Sequence, residues 1–124
     1  MNLKNNLYII KSSDVEKKSF LIELLPNSII YKAHFPGHPI TPGVCIVQIA
    51  TELLQEFMHK NLVLKTIANA KFLSIINPEE DKEVIFNIKK LTIDETEKKI
   101  SVSIIVQDQS DKIYSKISLT YNFE

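Results

Sequence analysis

Ten consecutive residues, His34-Phe35-Pro36-Gly37-His38-Pro39-Ile40-Thr41-Pro42-Gly43, hold three of the chain's five prolines, both of its glycines and two of its three histidines. Each proline fixes its own φ and drives the residue before it toward extended geometry. Gly37 and Gly43 allow backbone angles, or close approaches, that a Cβ forbids. The apolar run Val44-Cys45-Ile46-Val47 follows directly. The pattern predicts a stiff loop that carries a histidine and feeds the chain into the N-terminus of a buried helix. Free N–H groups there favour an oxygen that gains negative charge. A histidine beside such a site is a catalytic arrangement.

Around this loop the apolar residues fall into two periods. From Val44 to Met58 they recur at helical spacing, with Thr51, Glu52, Gln55, Glu56 and His59 gathered on one polar stripe that is expected to be more solvated toward Glu56 and His59. A helix with so little polar circumference is wrapped by other structure. Elsewhere the period is two. Leu7 to Lys11 and Phe20 to Leu25 read as strands able to form a hairpin, and Val63 to Ile76 has β-branched and aromatic content. Val84, Phe86 and Ile88 alternate with Ile85, Asn87 and Lys89; Ile100, Val102, Ile104 and Val106 form one face; so do Ile113, Ser115, Ile117, Leu119, Tyr121 and Phe123. The connections 77–82, 94–98 and 108–112 are short and polar, which predicts antiparallel neighbours. The expected fold is α+β: residues 1–124 as a single domain, with one curled antiparallel sheet of five to six strands around a long central helix.

Composition narrows the function. Fifteen basic and fifteen acidic residues cancel, the basic ones are spread along the chain, and nucleic-acid binding is not expected. No apolar run reaches bilayer-spanning length and the first residues lack a signal-peptide pattern, so a cytoplasmic location without membrane contact is expected. The lone Cys45 makes no internal disulfide and no zinc site by itself. All fifteen basic residues are lysine, so a phosphate-bearing partner would meet point charges or backbone N–H groups rather than an arginine fork.

The loop, helix and strand pattern together resemble the hotdog fold. The unbroken His-Phe-Pro-Gly-x-Pro-x-x-Pro-Gly from His34 to Gly43 is similar to the signature of the beta-hydroxyacyl-[acyl-carrier-protein] dehydratases of bacterial fatty acid synthesis. The resemblance implies removal of water from 3-hydroxyacyl groups carried on the phosphopantetheine of acyl carrier protein, with no resident cofactor or metal. It implies a homodimer, or a trimer of dimers, whose sites are built from both subunits, with Lys71, Phe72 and Leu73 along the dimer seam. It assigns His34 as catalytic base, oriented by a carbonyl near Ile40, and points the Gly43 N–H at the thioester oxygen. Phe35, Gly43 and Val44 are the implied substrate contacts.

This chemistry needs a base with a pKa near the working pH and fixed donors for the enolate oxygen. It also needs a proton for the departing hydroxyl. The family supplies that proton from a helix carboxylic acid fourteen residues after the histidine, and here that position is Gln48, a neutral amide. The family's carboxylate-then-glutamine order is reversed to Gln48 and Glu52, one helical turn apart, which makes Glu52 a candidate replacement acid against the alternative of a solvated helix carboxylate. His38 fits a turn residue or mouth contact, His59 a residue near the helix end, and Cys45 a small buried hydrophobe. Two other functions are carried forward. One is a hotdog acyl-thioesterase; the other, prompted by Gln48, is a catalytically silent acyl-binding or partner subunit.

Overall fold

The computed structural model describes residues 2–33 and 37–124. Strands β1 (Tyr8–Asp14) and β2 (Ser19–Leu24) come first, then the short helix α1 (Ile29–Ala33) and the long helix α2 (Gly43–Met58). Strands β3 (Leu62–Phe72), β4 (Glu83–Asp94), β5 (Lys99–Gln107) and β6 (Ile113–Phe123) complete the chain. The six strands form one sheet in the order β1-β2-β4-β5-β6-β3, every neighbouring pair antiparallel. The sheet packs around α2, which is the hotdog architecture. No described helix is long and apolar enough to cross a membrane.

Period-two patterning places this core. Phe20, Ile22 and Leu24 of β2, Val84, Phe86 and Ile88 of β4, and Ile100, Val102, Ile104 and Val106 of β5 are buried, as are Ile117, Leu119, Tyr121 and Phe123 of β6. Against them α2 buries Cys45, Ile46, Val47, Ile49, Ala50, Leu53 and Leu54. Each large apolar side chain so placed contributes about 1.5–3 kcal/mol. The β1–β2 and β4–β5 hairpins share one turn chemistry. Asp14 Oδ1 accepts from the Lys17 N–H at 3.0 Å and Asp94 Oδ1 from the Glu97 N–H at 3.0 Å, while Lys18 (φ 53°) and Lys98 (φ 54°) take the left-handed conformation that closes each turn.

One expectation about connections is overturned. Residues 77–82 do not join neighbours: β3 lies at the sheet edge beside β6, whereas β4 lies between β2 and β5. The strand content read as far as Ile76 ends at Phe72, so the true connection begins at Leu73 and is long enough to cross the end of the sheet. It is tied down as it crosses. The Leu73 N–H bonds to the Tyr114 carbonyl at 2.8 Å, the Ile76 carbonyl accepts from the Thr41 N–H at 2.9 Å, and the Lys82 carbonyl accepts from the Leu24 N–H at 2.8 Å. The Thr41 N–H bond joins the end of the proline-rich loop to this crossover, and the Thr41 hydroxyl bonds to the Tyr31 hydroxyl at 2.8 Å.

Candidate active site

The start of α2 is built by what its sequence lacks. Pro42 is the N-cap and offers no side-chain oxygen to the first turn. The Pro42 carbonyl receives the Cys45 and Ile46 N–H groups at 3.0 and 3.1 Å. The preceding N–H groups, on Gly43 and Val44, are first-turn donors without an acceptor inside the helix. The two loop glycines serve different needs. Gly37 has φ 85°, a conformation costly for other residues, whereas at Gly43 a Cβ would lie 2.8 Å from Phe72 Cζ and 3.2 Å from both Cε atoms. The Phe72 ring therefore rests on the bare backbone of the helix start.

An apolar cavity of about 450 Å³ opens here. Gly43, Val44, Cys45, Val47 and Gln48 form its helix side, β3 faces it with Leu64, Ile67, Ala70 and Phe72, and Leu3 completes it. Val44 is 76 % exposed, so it sits at the mouth, while burial pushes the Cys45 thiol pKa up, away from a reactive thiolate. His34 and Phe35, the expected base and substrate contact, lie outside the described residues. His38 is exposed, and His59 is the helix C-cap in the left-handed conformation (φ 53°), its N–H bonded to the Gln55 carbonyl.

Glu52 departs from the solvated-carboxylate alternative. It is 6 % exposed and receives four donors. Oε2 accepts from the Leu3 N–H at 2.7 Å and from Gln48 Nε2 at 2.8 Å. Oε1 accepts from the Lys4 N–H at 2.8 Å and the Tyr8 hydroxyl at 3.0 Å. Burial first, and then the nearby Glu52 charge, drive the Tyr8 phenol pKa far above its ordinary range, keeping it a donor. The helix turn thus brings Gln48 and Glu52 together as the spacing predicts, and Glu52 fixes which end of the Gln48 amide donates. Thr51, on the same stripe, is also buried and bonds to the Tyr121 hydroxyl at 2.8 Å and the Val47 carbonyl at 2.9 Å.

What sequence reading missed is the N-terminal strap. Leu3 and Leu7 are the apolar residues in the otherwise polar run from Asn2 to Leu7, and both are buried. That pair, together with a glutamate partway along an apolar helix, was the available signal: a buried carboxylate requires donors.

Sheet, central helix and proline-rich helix entry define a hotdog protein with an apolar cavity at the start of its long helix. The family model described as ApeI-like, ApeI dehydratase, matches residues 11–117, and the chain belongs to that family. Among curated relatives, the 3-hydroxyacyl-[acyl-carrier-protein] dehydratase FabZ of Pediococcus pentosaceus is 31% identical over 86 residues, covering 64% of this chain and 53% of the relative. FabZ of Fusobacterium nucleatum is 32% identical over 68 residues, 51% of this chain and 47% of the relative. The chain spans about half the length of the curated relatives it matches. Of solved structures, the dehydratase heterocomplex ApeI:P from Xenorhabdus doucetiae aligns with a TM-score of 0.66 at 18% identity, over 92% of this chain and 96% of that one. A hypothetical thioesterase with coenzyme A from Streptococcus pneumoniae aligns with a TM-score of 0.63 at 8% identity, over 94% and 85%. At these identities the structural likeness is one of fold.

Proposed function

We propose that this protein removes water from 3-hydroxyacyl thioesters delivered on acyl carrier protein. The observation that carries the reading is the uncapped first turn of α2, whose Gly43 and Val44 donors stand at an apolar cavity directly after the His34-bearing loop. His34 takes the proton from C2 of the acyl group. The released electron pair moves onto the thioester oxygen, where the Gly43 N–H stabilises the enolate. Collapse of the enolate forms the C2–C3 double bond and breaks the C3–O bond. The hydroxyl departs as water with a proton from the His34 imidazolium, which restores the base. Gln48, with its amide orientation fixed by Glu52, positions the hydroxyl without supplying a proton.

Glu52 is not assigned the acid role, because both its oxygens are engaged by donors from Leu3, Lys4, Tyr8 and Gln48. The same engagement disfavours a thioesterase, in which a helix carboxylate must activate water. A second reading is a silent acyl-binding subunit, favoured by the amide at position 48. Incubation with a 3-hydroxyacyl carrier protein, followed by mass, separates the three: loss of one water supports the dehydratase, cleavage to free acid the hydrolase, and binding without change the silent subunit. The edge strand β3 exposes Val63, Leu64, Ile67 and Phe72, which supports assembly through this edge with a second hotdog subunit.

A further inference from the structure

We infer that Leu3, held in place by the N-terminal strap of residues 2–8, is the far wall of the acyl cavity and sets the acyl chain length the protein accepts, with Glu52 as the residue that positions it. The inference rests on the cavity's assignment to an acyl chain. Gly43 and Phe72 mark the end of the cavity where the thioester oxygen is held, and Gln48 lies five residues further along α2, about 7.5 Å away by helical rise. Leu3 lines the same cavity and is 1 % exposed, although it belongs to a polar segment at the start of the chain.

The strap is built to hold that side chain still. Asn5 takes a left-handed φ of 68°, suited to asparagine, and the turn it makes returns the Asn6 and Leu7 N–H groups to the Leu3 carbonyl at 3.0 and 2.7 Å. The Leu3 N–H is fixed by Glu52, and the Lys4 ammonium pairs with Glu56 one helical turn on. Glu52 Oε2 receives both the Leu3 N–H and the Gln48 amide, so one carboxylate oxygen registers the apolar wall and the polar group beside it. A wall set this way is separate from the loop that carries His34. Its position governs how much chain fits, and the loop governs the chemistry.

The test uses a series of 3-hydroxybutyryl, 3-hydroxyoctanoyl and 3-hydroxypalmitoyl carrier proteins with wild type, Leu3→Ala, Leu3→Phe and Glu52→Ala, each confirmed folded by circular dichroism. Each further buried methylene is worth roughly four-fold in binding, so Leu3→Ala should shift the long-to-short preference upward by about ten-fold or more and Leu3→Phe should shift it downward. Glu52→Ala should flatten the profile through KM while kcat on the best substrate falls less. Affinities for the matching unreactive acyl carrier proteins are measured in parallel, so that a protein with no turnover still reports its chain-length preference. Profiles of Leu3→Ala and Leu3→Phe that superimpose on wild type overturn the inference, as does an unchanged profile in Leu3→Phe alone if Leu3→Ala does not fold.

Discussion

At the scale of single residues, Glu52 is where reading and structure part most usefully. Helical spacing places it beside Gln48 correctly, but one-dimensional pattern cannot say that residues 3, 4 and 8 return to cover it, because those contacts are 44 to 49 residues away in sequence. The consequence is measurable. Hydrogen bonds to a charged group contribute about 1.5–3 kcal/mol each net, and an amide at position 52 presents an NH₂ where donors already point. Glu52→Gln should therefore lower stability in urea unfolding by about 2 kcal/mol, and Glu52→Ala by about 3 kcal/mol. A general acid would behave otherwise: Glu52→Gln would leave stability untouched and reduce kcat by about two to four orders of magnitude.

Among elements, β3 is the least legible from sequence and the most consequential. Its register slips between Leu64 and Thr66 and again between Ile67 and Asn69, so alternation of side chains along it is interrupted twice. That interruption hid where the strand ends, and with it the long crossover to β4. By contrast β5 buries one unbroken face from Ile100 to Val106, β4 keeps its alternation up to Ile88 and β6 from Ser115 to Phe123, and the sequence pattern predicts these stretches closely. β3 also leaves Ile67 49 % and Phe72 51 % exposed at an open sheet edge. Light scattering should find a dimer at micromolar concentration, and Ile67→Lys, which puts a charge into that apolar edge, should shift it toward monomer with the circular dichroism of the chain preserved. A wild-type monomer would remove the two-subunit assembly from the account.

Across the whole molecule, the fold leaves buried tyrosines as its alkaline weak point. Burial pushes the Tyr31 phenol up to about 12 from an ordinary 10.0, partly offset by its bond with Thr41, and Tyr121 likewise to about 12, offset by Thr51. Tyr8 and Tyr114 are also raised, each by burial and then by an acidic neighbour, Glu52 and Asp81 respectively. A phenol whose folded pKa exceeds its unfolded value binds its proton more tightly in the native state. Its stabilisation is complete below the unfolded value and is lost as pH rises from there toward the folded one. Stability should thus be indifferent to these groups below about pH 10 and fall steeply above it. Ultraviolet titration should show the buried tyrosines ionising together with unfolding; smooth titration at ordinary values in a folded protein would contradict the packing.

The hotdog family was legible from ten residues read together with the helix and strand pattern, and the dehydration chemistry is the proposal built on them. Gly37 and Gly43 meet two separate demands, a left-handed angle and a close ring, that the sequence implied only jointly. The central claim is that His34 is the base of a dehydration. Its most direct test is the rate of water loss from a 3-hydroxyacyl carrier protein, followed by mass for wild type, His34→Ala and His38→Ala. The account predicts water loss by wild type, a fall of about two to four orders of magnitude in His34→Ala with the fold intact, and an effect within a few-fold in His38→Ala. Undiminished dehydration by His34→Ala, or loss confined to His38→Ala, would contradict it.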